Sequence, residues 1–368
     1  MSNRADIRRE AEAVLERFRA AGAELVDPDI LQPAATLLDL YGEDIRARAY
    51  VTQDPVRGEL MLRPDFTVPV VQAHMANGAE PARYTYIGEV FRRQEAGSGR
   101  ASEYIQVGFE LFDGRDPVAA DAEVFALFAG ILAPMGLRPA IGDIGVLRAA
   151  VDALTTSERR KDALRRHLWR PRRFRALLER FGGRTPPPPT RARLVEAARS
   201  RPAAELVAEA GPLVGLRTAE EIAERVEALV ADADEPPVAG PEIEAIEALM
   251  TIRAKAPAGL GRLRDVAVDL PGIAPAVDRF ERRLEALAAR GIDAEALEFE
   301  ASYGRTTLEY YDGFVFGFYA GDRPDLPPVA SGGRYDALTR VLGAGRAIPA
   351  VGGIVRPELL HLLGGLPR

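Results

Sequence analysis

The sequence has no cysteine, which excludes disulfides, thiolate zinc sites and cysteine nucleophiles. Its histidines, His74, His167 and His361, stand far apart in the chain, so neither a His-rich metal centre nor a His-based triad is expected. Lys161 and Lys255 are the only lysines, and neither stands in a P-loop. No apolar run reaches the roughly 18 residues of a membrane span. Met1-Ser2-Asn3-Arg4 opens a charged amphipathic stretch without the apolar core of a signal peptide. A net charge of −7 and a pI near 5.4 disfavour a general nucleic-acid binder, which needs basic surface. What is present is ordinary globular composition. With 368 residues, 47% of them hydrophobic, two or three soluble domains are expected, and the default compartment is the cytoplasm.

Helical periodicity places a first helix through Ile7, Ala11, Val14, Leu15 and Phe18, stopped by Gly22 and capped by Ser2 or Asn3. Glu59 to Arg63 reads as a strand, and Pro64-Asp65 turns into a helix over Phe66 to Met75. Tyr84 to Arg93 and Tyr104 to Phe112 read as a long-looped antiparallel hairpin. Ala119 to Leu132 is an amphipathic helix. From about 143 to 290 the composition turns to Ala, Leu, Glu and Arg with helical period, interrupted by the polyproline Pro186 to Pro189 and a loop from Asp234 to Pro241. Pro275 to Arg290 is another helix, closed by Gly291. Strands return at Leu297 to Tyr303, Tyr311 to Tyr319 and Ala350 to Val355. Ser331 to Arg334 is expected as a Gly-rich turn and Tyr335 to Leu342 as a helix. The fold class is α+β: residues 1–142 and 291–368 form one split domain around an antiparallel sheet, and 143–290 form a mostly helical insert.

In the second hairpin strand, Ile105, Val107, Phe109 and Leu111 share one face. The other face carries Tyr104, Gln106, Gly108 and Glu110. A half-exposed strand with one surface glutamate is the ordinary reading. The alternative is a ligand face: Gly108 permits close approach, and Gln106 with Glu110 offers an amide and a carboxylate suited to an ammonium group. Asp65 and Thr67 flank a strand-to-helix turn. Tyr310 and Tyr311 precede the apolar run Phe314-Val315-Phe316, and such a pair is ordinarily packing with satisfied hydroxyls.

Taken in order, these segments resemble the catalytic domain of class II aminoacyl-tRNA synthetases, and histidyl-tRNA synthetase in particular. Leu62-Arg63-Pro64-Asp65-Phe66-Thr67 is similar to its Leu-Arg-Pro-Glu-Gly-Thr. Tyr86 to Arg92, followed by Gln106-Val107-Gly108-Phe109-Glu110, is similar to motif 2. Leu308 to Gly313 and Ser331 to Asp336 resemble the two histidine signatures. Pro349-Ala350-Val351-Gly352 stands where motif 3 begins, and Leu31-Gln32-Pro33 where motif 1 forms the dimer interface.

Departures from the pattern fall on activation chemistry. The chain stops soon after Val351, so the anticodon-binding domain is expected to be absent. Leu359 stands where motif 3 carries an adenine-stacking arginine, and Pro357 is expected to break the helix start there. Thr306-Thr307 replaces a signature Arg-Gly, with Arg305 one residue early. Gln94 and Ser102 replace a motif 2 glutamate and a loop arginine. The amino-acid pocket is kept: the resemblance implies a histidine site of Asp65, Thr67, Gln106, Glu110, Tyr310 and Tyr311, with Arg92 as a vestigial nucleotide-site residue. Arg92 is expected to bind Glu110 or Glu89 instead of phosphate, and Arg334 a backbone or carboxylate group.

This combination resembles the synthetase paralogues that serve as regulatory subunits of ATP phosphoribosyltransferase. The resemblance implies a non-catalytic chain that activates a short catalytic subunit in a hetero-octamer of four chains each, with self-dimers through the motif 1-like region. It implies L-histidine as feedback ligand in the first step of histidine biosynthesis, and no cofactor, metal, membrane or tRNA. The loop Gln94 to Glu103 is the candidate mobile element. A truncated synthetase core forming histidyl-adenylate is the alternative, and a divergent paralogue acting on another amino acid or on protein is a third reading. The basic run Arg159, Arg160, Lys161, Arg165, Arg166, Arg170, Arg172, Arg173 and Arg175 is read first as a solvated helical face, next as a contact for an acidic partner surface and third as a nucleic-acid contact.

Overall fold

The computed structural model describes residues 4–41, 48–94, 97, 101–215, 217–303 and 310–367. The expected cap at Ser2 or Asn3 lies outside them, as do residues 95–96 and 98–100 of the hairpin loop. Arg305, Thr306, Thr307, Leu308 and Glu309 of the first histidine signature also lie outside.

Strands in chain order are β1 (Glu24–Leu25), β2 (Leu31–Pro33), β3 (Val51–Asp54), β4 (Gly58–Leu62), β5 (Ala82–Phe91), β6 (Glu103–Phe112), β7 (Arg138–Asp143), β8 (Arg253–Lys255), β9 (Glu298–Glu300), β10 (Phe314–Tyr319), β11 (Ala330–Arg334) and β12 (Ala350–Val355). Nine form one sheet in the order β1-β5-β6-β12-β11-β10-β7-β9-β8, and β2-β4-β3 form a small second sheet. Neighbours run antiparallel except β1 with β5 and β7 with β9. The expected hairpin is β5–β6, paired from Ala82 opposite Phe112 to Phe91 opposite Glu103.

One sheet face is covered by helices. The first, Arg4–Ala20, buries the five apolar residues its periodicity marked. Helix Pro117–Leu132 starts cleanly because the Asp116 carboxylate accepts from the Val118 and Ala119 amides. Phe18 meets Phe109 and Phe128 at centroid distances of 5.5 and 5.2 Å, and Phe125 meets Phe316 edge-on. Each such buried ring contributes on the order of 2 kcal/mol by leaving water. With Met135, this helix is long and apolar enough to cross a membrane by length and composition, although Asp121 and Glu123 interrupt its apolar run. In the structure it is a core helix, with Val124, Phe125 and Phe128 buried against the sheet.

A cluster of buried ions ties helix Ala274–Ala288 to this layer. Arg283 donates to Asp121 at 2.8 Å and to Asp143 at 2.7 Å. Arg334 joins from β11, donating to Asp121 and to Asp336 at 2.9 Å each and to the Pro117 carbonyl at 2.7 Å. Arg334 therefore has both the carboxylate and the backbone contacts expected of it.

Three expectations need correcting. Ser331 to Arg334 is not a turn but the buried strand β11. Its glycines serve close packing: a Cβ on Gly332 would strike the Gly352 carbonyl and the Phe316 ring, and one on Gly333 would lie 2.6 Å from the Phe314 carbonyl. Pro357 does not break the helix start. It is the first residue of helix Pro357–Leu362, where a missing N–H costs nothing. The strand expected from Tyr311 begins only at Phe314, because the Asp312 carboxylate accepts from the amides of Asp336 (3.0 Å) and Ala337 (2.7 Å) and turns the chain there.

Between Ile144 and Asp269 the chain is mainly helical, and Pro189 opens helix Pro189–Ser200 after the prolines that precede it. The basic run divides. Arg160 is no solvated residue: it is buried, donating to Asp232 (2.8 Å) and the Pro236 carbonyl (2.7 Å). Arg165 binds Asp152, Glu158 and Asp162. Arg159, Arg166, Arg172, Arg173 and Arg175 are exposed.

Candidate functional site

The uncovered side of β6 and β12 is closed over by the turn before helix Thr67–Asn77 and by the segment leading into β10. A cavity remains, lined by Asp65, Thr67, Arg92, Gln106, Glu110, Tyr310 and Tyr311, all seven residues singled out in the sequence. Tyr303, Ser331, Tyr335 and Arg356 are among its other lining residues.

Glu110 is its anchor. Strand alternation points it with Gln106 away from the helical layer, and both are only 1% exposed, so the surface-glutamate reading fails. Three hydroxyls donate to the carboxylate: Thr67 (2.9 Å) and Tyr86 (2.9 Å) to Oε1, and Tyr335 (2.6 Å) to Oε2. Tyr310 donates to Thr67 Oγ1 at 3.3 Å, extending the chain of hydroxyls. Burial pushes the Glu110 carboxyl up to about 7, against the pull of those hydrogen bonds.

Glycine makes this packing possible. A Cβ on Gly352 would collide with Glu110 Oε2, and one on Gly108 with the Tyr86 ring. The close approach foreseen at Gly108 is thus made by Tyr86, its cross-strand partner. Phe66, at the position where the synthetase motif has glycine, stacks on Tyr86 with centroids 4.4 Å apart and carries the Arg63 guanidinium on its other face. Tyr310 and Tyr311 meet edge to face at 4.9 Å, so they pack as well as line the cavity.

The polar atoms of the cavity are not all matched. Gln106 Oε1 is buried with no hydrogen-bond partner among the described residues, an unmatched acceptor on a residue that lines the cavity together with Asp65 and Thr67. Arg92 Nε donates to the Pro64 carbonyl at 2.7 Å, whereas Glu89 binds Arg4 at 3.1 Å. Arg356 donates to the Pro328 carbonyl (2.6 Å) and to Ser331 Oγ (3.4 Å). Burial, and then the charge of Arg92, lower its pKa from the ordinary arginine value. Leu359 packs against the apolar core. Trp169, from the helical segment, donates its indole N–H to the Tyr311 carbonyl at 3.1 Å.

Sequence reasoning missed Tyr86, Tyr335, Ser331 and Arg356 as members of the site. The hairpin register points to Tyr86, since it sets that residue opposite Gly108. Arg356 has no comparable signal, because the motif frame directs attention to Leu359. Among the described residues, no group of three or more His, Asp or Glu side chains is placed to hold a metal ion.

A family model described as histidyl-tRNA synthetase matches residues 2–240 and 226–360. The ATP phosphoribosyltransferase regulatory subunit of Brucella canis is 33% identical over 372 residues, covering 96% of each chain. Among solved structures, an ATP phosphoribosyltransferase regulatory subunit/histidyl-tRNA synthetase from Bacillus halodurans superposes with a TM-score of 0.68 at 22% identity, over 98% of this chain and 79% of that one. A histidyl-tRNA synthetase from Nostoc superposes at 0.63 and 15% identity, over 97% and 71%. Both structures share the class II synthetase-like fold.

Proposed function

The chain belongs to the family of ATP phosphoribosyltransferase regulatory subunits, built on the histidyl-tRNA synthetase fold, and from that membership we propose that it activates a separate short catalytic subunit and carries histidine feedback to it. It performs no chemistry of its own. The partner transfers the phosphoribosyl group of phosphoribosyl pyrophosphate to ATP, the first step of histidine biosynthesis, within a hetero-octamer of four chains of each kind. Residues 1–142 and 291–368 carry the ligand cavity and 143–290 remain for partner contacts. Copies of this chain pair through the segment around Leu31 to Pro33.

The observation that carries the ligand assignment is the unmatched Gln106 Oε1, buried in the cavity that Asp65 and Thr67 also line. An α-ammonium supplies the donor this acceptor lacks, and Asp65 supplies the countercharge. The imidazole meets Glu110 and the tyrosine hydroxyls. A carboxyl near pH 7 with three hydroxyl partners accepts from an imidazole N–H when ionised. Leu359, partly buried and packed against the core, presents no cation to a nucleobase, which favours a regulatory over an adenylating role. Histidine acts by favouring one arrangement of the complex, and a coupling of about 1–3 kcal/mol suffices.

The test mixes the purified chain with a silent short catalytic subunit. Phosphoribosyl transfer appears on mixing and histidine shuts it off. Gln106→Ala keeps the activation and loses the inhibition. Robust histidine-dependent exchange of pyrophosphate into ATP by this chain alone would overturn the proposal in favour of a synthetase core.

A further inference from the structure

A second cavity, of about 220 Å³, adjoins the first along the chain and shares no lining residue with it. Consecutive residues divide between the two: Tyr311 and Tyr335 line the ligand cavity, whereas Asp312 and Arg334 line this one. Two helices supply its arginines. Arg279 and Arg283 stand one turn apart on helix Ala274–Ala288, and Arg148 comes from helix Ile144–Asp152.

Hydrogen bonding separates the groups already engaged from those that are not. The lining aspartates are all engaged. Asp143 accepts from Arg283, Asp336 from Arg334, Asp152 from Arg165, and Asp312 from the amides of Asp336 and Ala337. The arginines keep donors in reserve. The Arg279 side chain makes no hydrogen bond or ion pair among the described residues. Arg148 has Asp312 at 3.7 Å, an ion pair too long for a hydrogen bond. Arg283 is 1% exposed and its charge is met through Nε and Nη1, but its Nη2 makes no hydrogen bond among the described residues. A buried guanidinium with unused N–H groups, lining a cavity, calls for an acceptor.

We infer that Arg148, Arg279 and Arg283 form a binding site for a phosphoryl anion, separate from the ligand cavity. Three guanidiniums present more donors than the two oxygens of a carboxylate use, whereas a phosphoryl group offers at least three oxygens. The volume lies below the roughly 300–1,000 Å³ of sites for drug-sized ligands, which limits the occupant to inorganic phosphate, pyrophosphate or the phosphate end of a small ester. The site does not depend on the amino-acid reading of the first cavity.

The test is calorimetry on the full chain at fixed ionic strength, with inorganic phosphate, pyrophosphate and ribose 5-phosphate as probes. At least one binds, at one per chain, and their order of affinity tells a free inorganic anion from an esterified one. Arg279→Gln and Arg148→Gln each weaken that binding about tenfold, the loss of one charge-assisted hydrogen bond. Arg279→Lys keeps part of the affinity, because it returns the charge without the fork. Arg282→Gln removes an exposed arginine of the same helix that does not line the cavity, and it leaves affinity within about twofold of wild type. The inference is overturned if none of the three anions binds, or if Arg279→Gln and Arg148→Gln bind as wild type does. It is overturned too if Arg282→Gln costs as much as Arg279→Gln, which is attraction by general charge alone. If the anions are ignored while Arg279→Gln weakens association with the catalytic subunit, the arginines receive an acidic side chain of that partner and the phosphoryl site falls.

Discussion

The ion cluster around Arg283 and the cavity around Glu110 bury similar chemistry, the one reached by Arg334 and the other by its chain neighbour Tyr335, yet they are closed differently. In the cluster every charge meets its opposite: Arg283 with Asp121 and Asp143, Arg334 with Asp121 and Asp336. In the cavity, Glu110 is held by neutral hydroxyls, Gln106 Oε1 is unmatched, and Arg356 has no acid within reach among the described residues. A buried polar group left without a partner costs stability. A fold that completes one such cluster and leaves the adjacent one incomplete reserves the second for something it does not itself contain. Burial alone does not separate the two, since Arg283 and Glu110 are each 1% exposed; the completeness of pairing does.

The largest effect that sharpens the contrast comes from the closed cluster. Arg283→Ala strands Asp121 and Asp143 and lowers unfolding free energy by about 3–5 kcal/mol in urea denaturation. Histidine affinity of the folded protein stays as in wild type. A matching loss of affinity would merge the two clusters into one functional unit.

The next effect is a titration. Glu110 holds its proton up to about pH 7 in the folded chain against the ordinary 4.5. The folded state is therefore the tighter proton binder. The stability this group supplies is complete below about pH 4.5 and is lost as pH rises through about 7. Glu110→Gln removes that dependence, so the stability of wild type minus variant falls with rising pH, by at most about 1.4 kcal/mol per unit. A flat difference from pH 4.5 to 7 would mean that the carboxylate is matched after all.

Smaller still is the effect of closing the cavity artificially. Gln106→Met replaces the orphan acceptor with apolar volume. It raises stability without ligand by on the order of 1 kcal/mol and weakens histidine at least about tenfold, measured by thermal melts with and without histidine. If stability falls as well, the Gln106 oxygen has a partner in solution and the contrast weakens.

The smallest effect concerns the exposed arginines 166, 172 and 173. Association with the catalytic subunit weakens as salt is added, and Arg172→Ala with Arg173→Ala flattens that slope. Salt-independent assembly would return these residues to a solvated face.

Much of this was legible beforehand because strands and helices write their period into the chain. The two faces of β6 are a two-residue alternation, and the first helix is marked by five apolar positions that are all buried. The seven candidate site residues lie together because motif order carries three-dimensional proximity that spacing alone lacks. The illegible parts depend on neighbours distant in sequence. Gly332 and Gly333 read as a turn because nothing local reveals the Gly352 carbonyl and the Phe316 ring against them. Tyr335 reaches Glu110 across 225 positions. Arg356 was overlooked because a motif frame says what a position held in relatives, not which side chain fills the space here. Pro357 misled because a proline that ends one helix begins another equally well.

The hydrogen bond from Trp169 to the Tyr311 carbonyl has a practical consequence. The chain has a single tryptophan. Its indole touches the backbone of a cavity-lining residue while sitting in the helical segment that carries the arginines. The protein thus holds its one tryptophan where the helical segment meets the cavity wall. Under the proposed function, its emission is expected to change on ligand arrival in unlabelled material, and a second change is expected on adding the catalytic subunit.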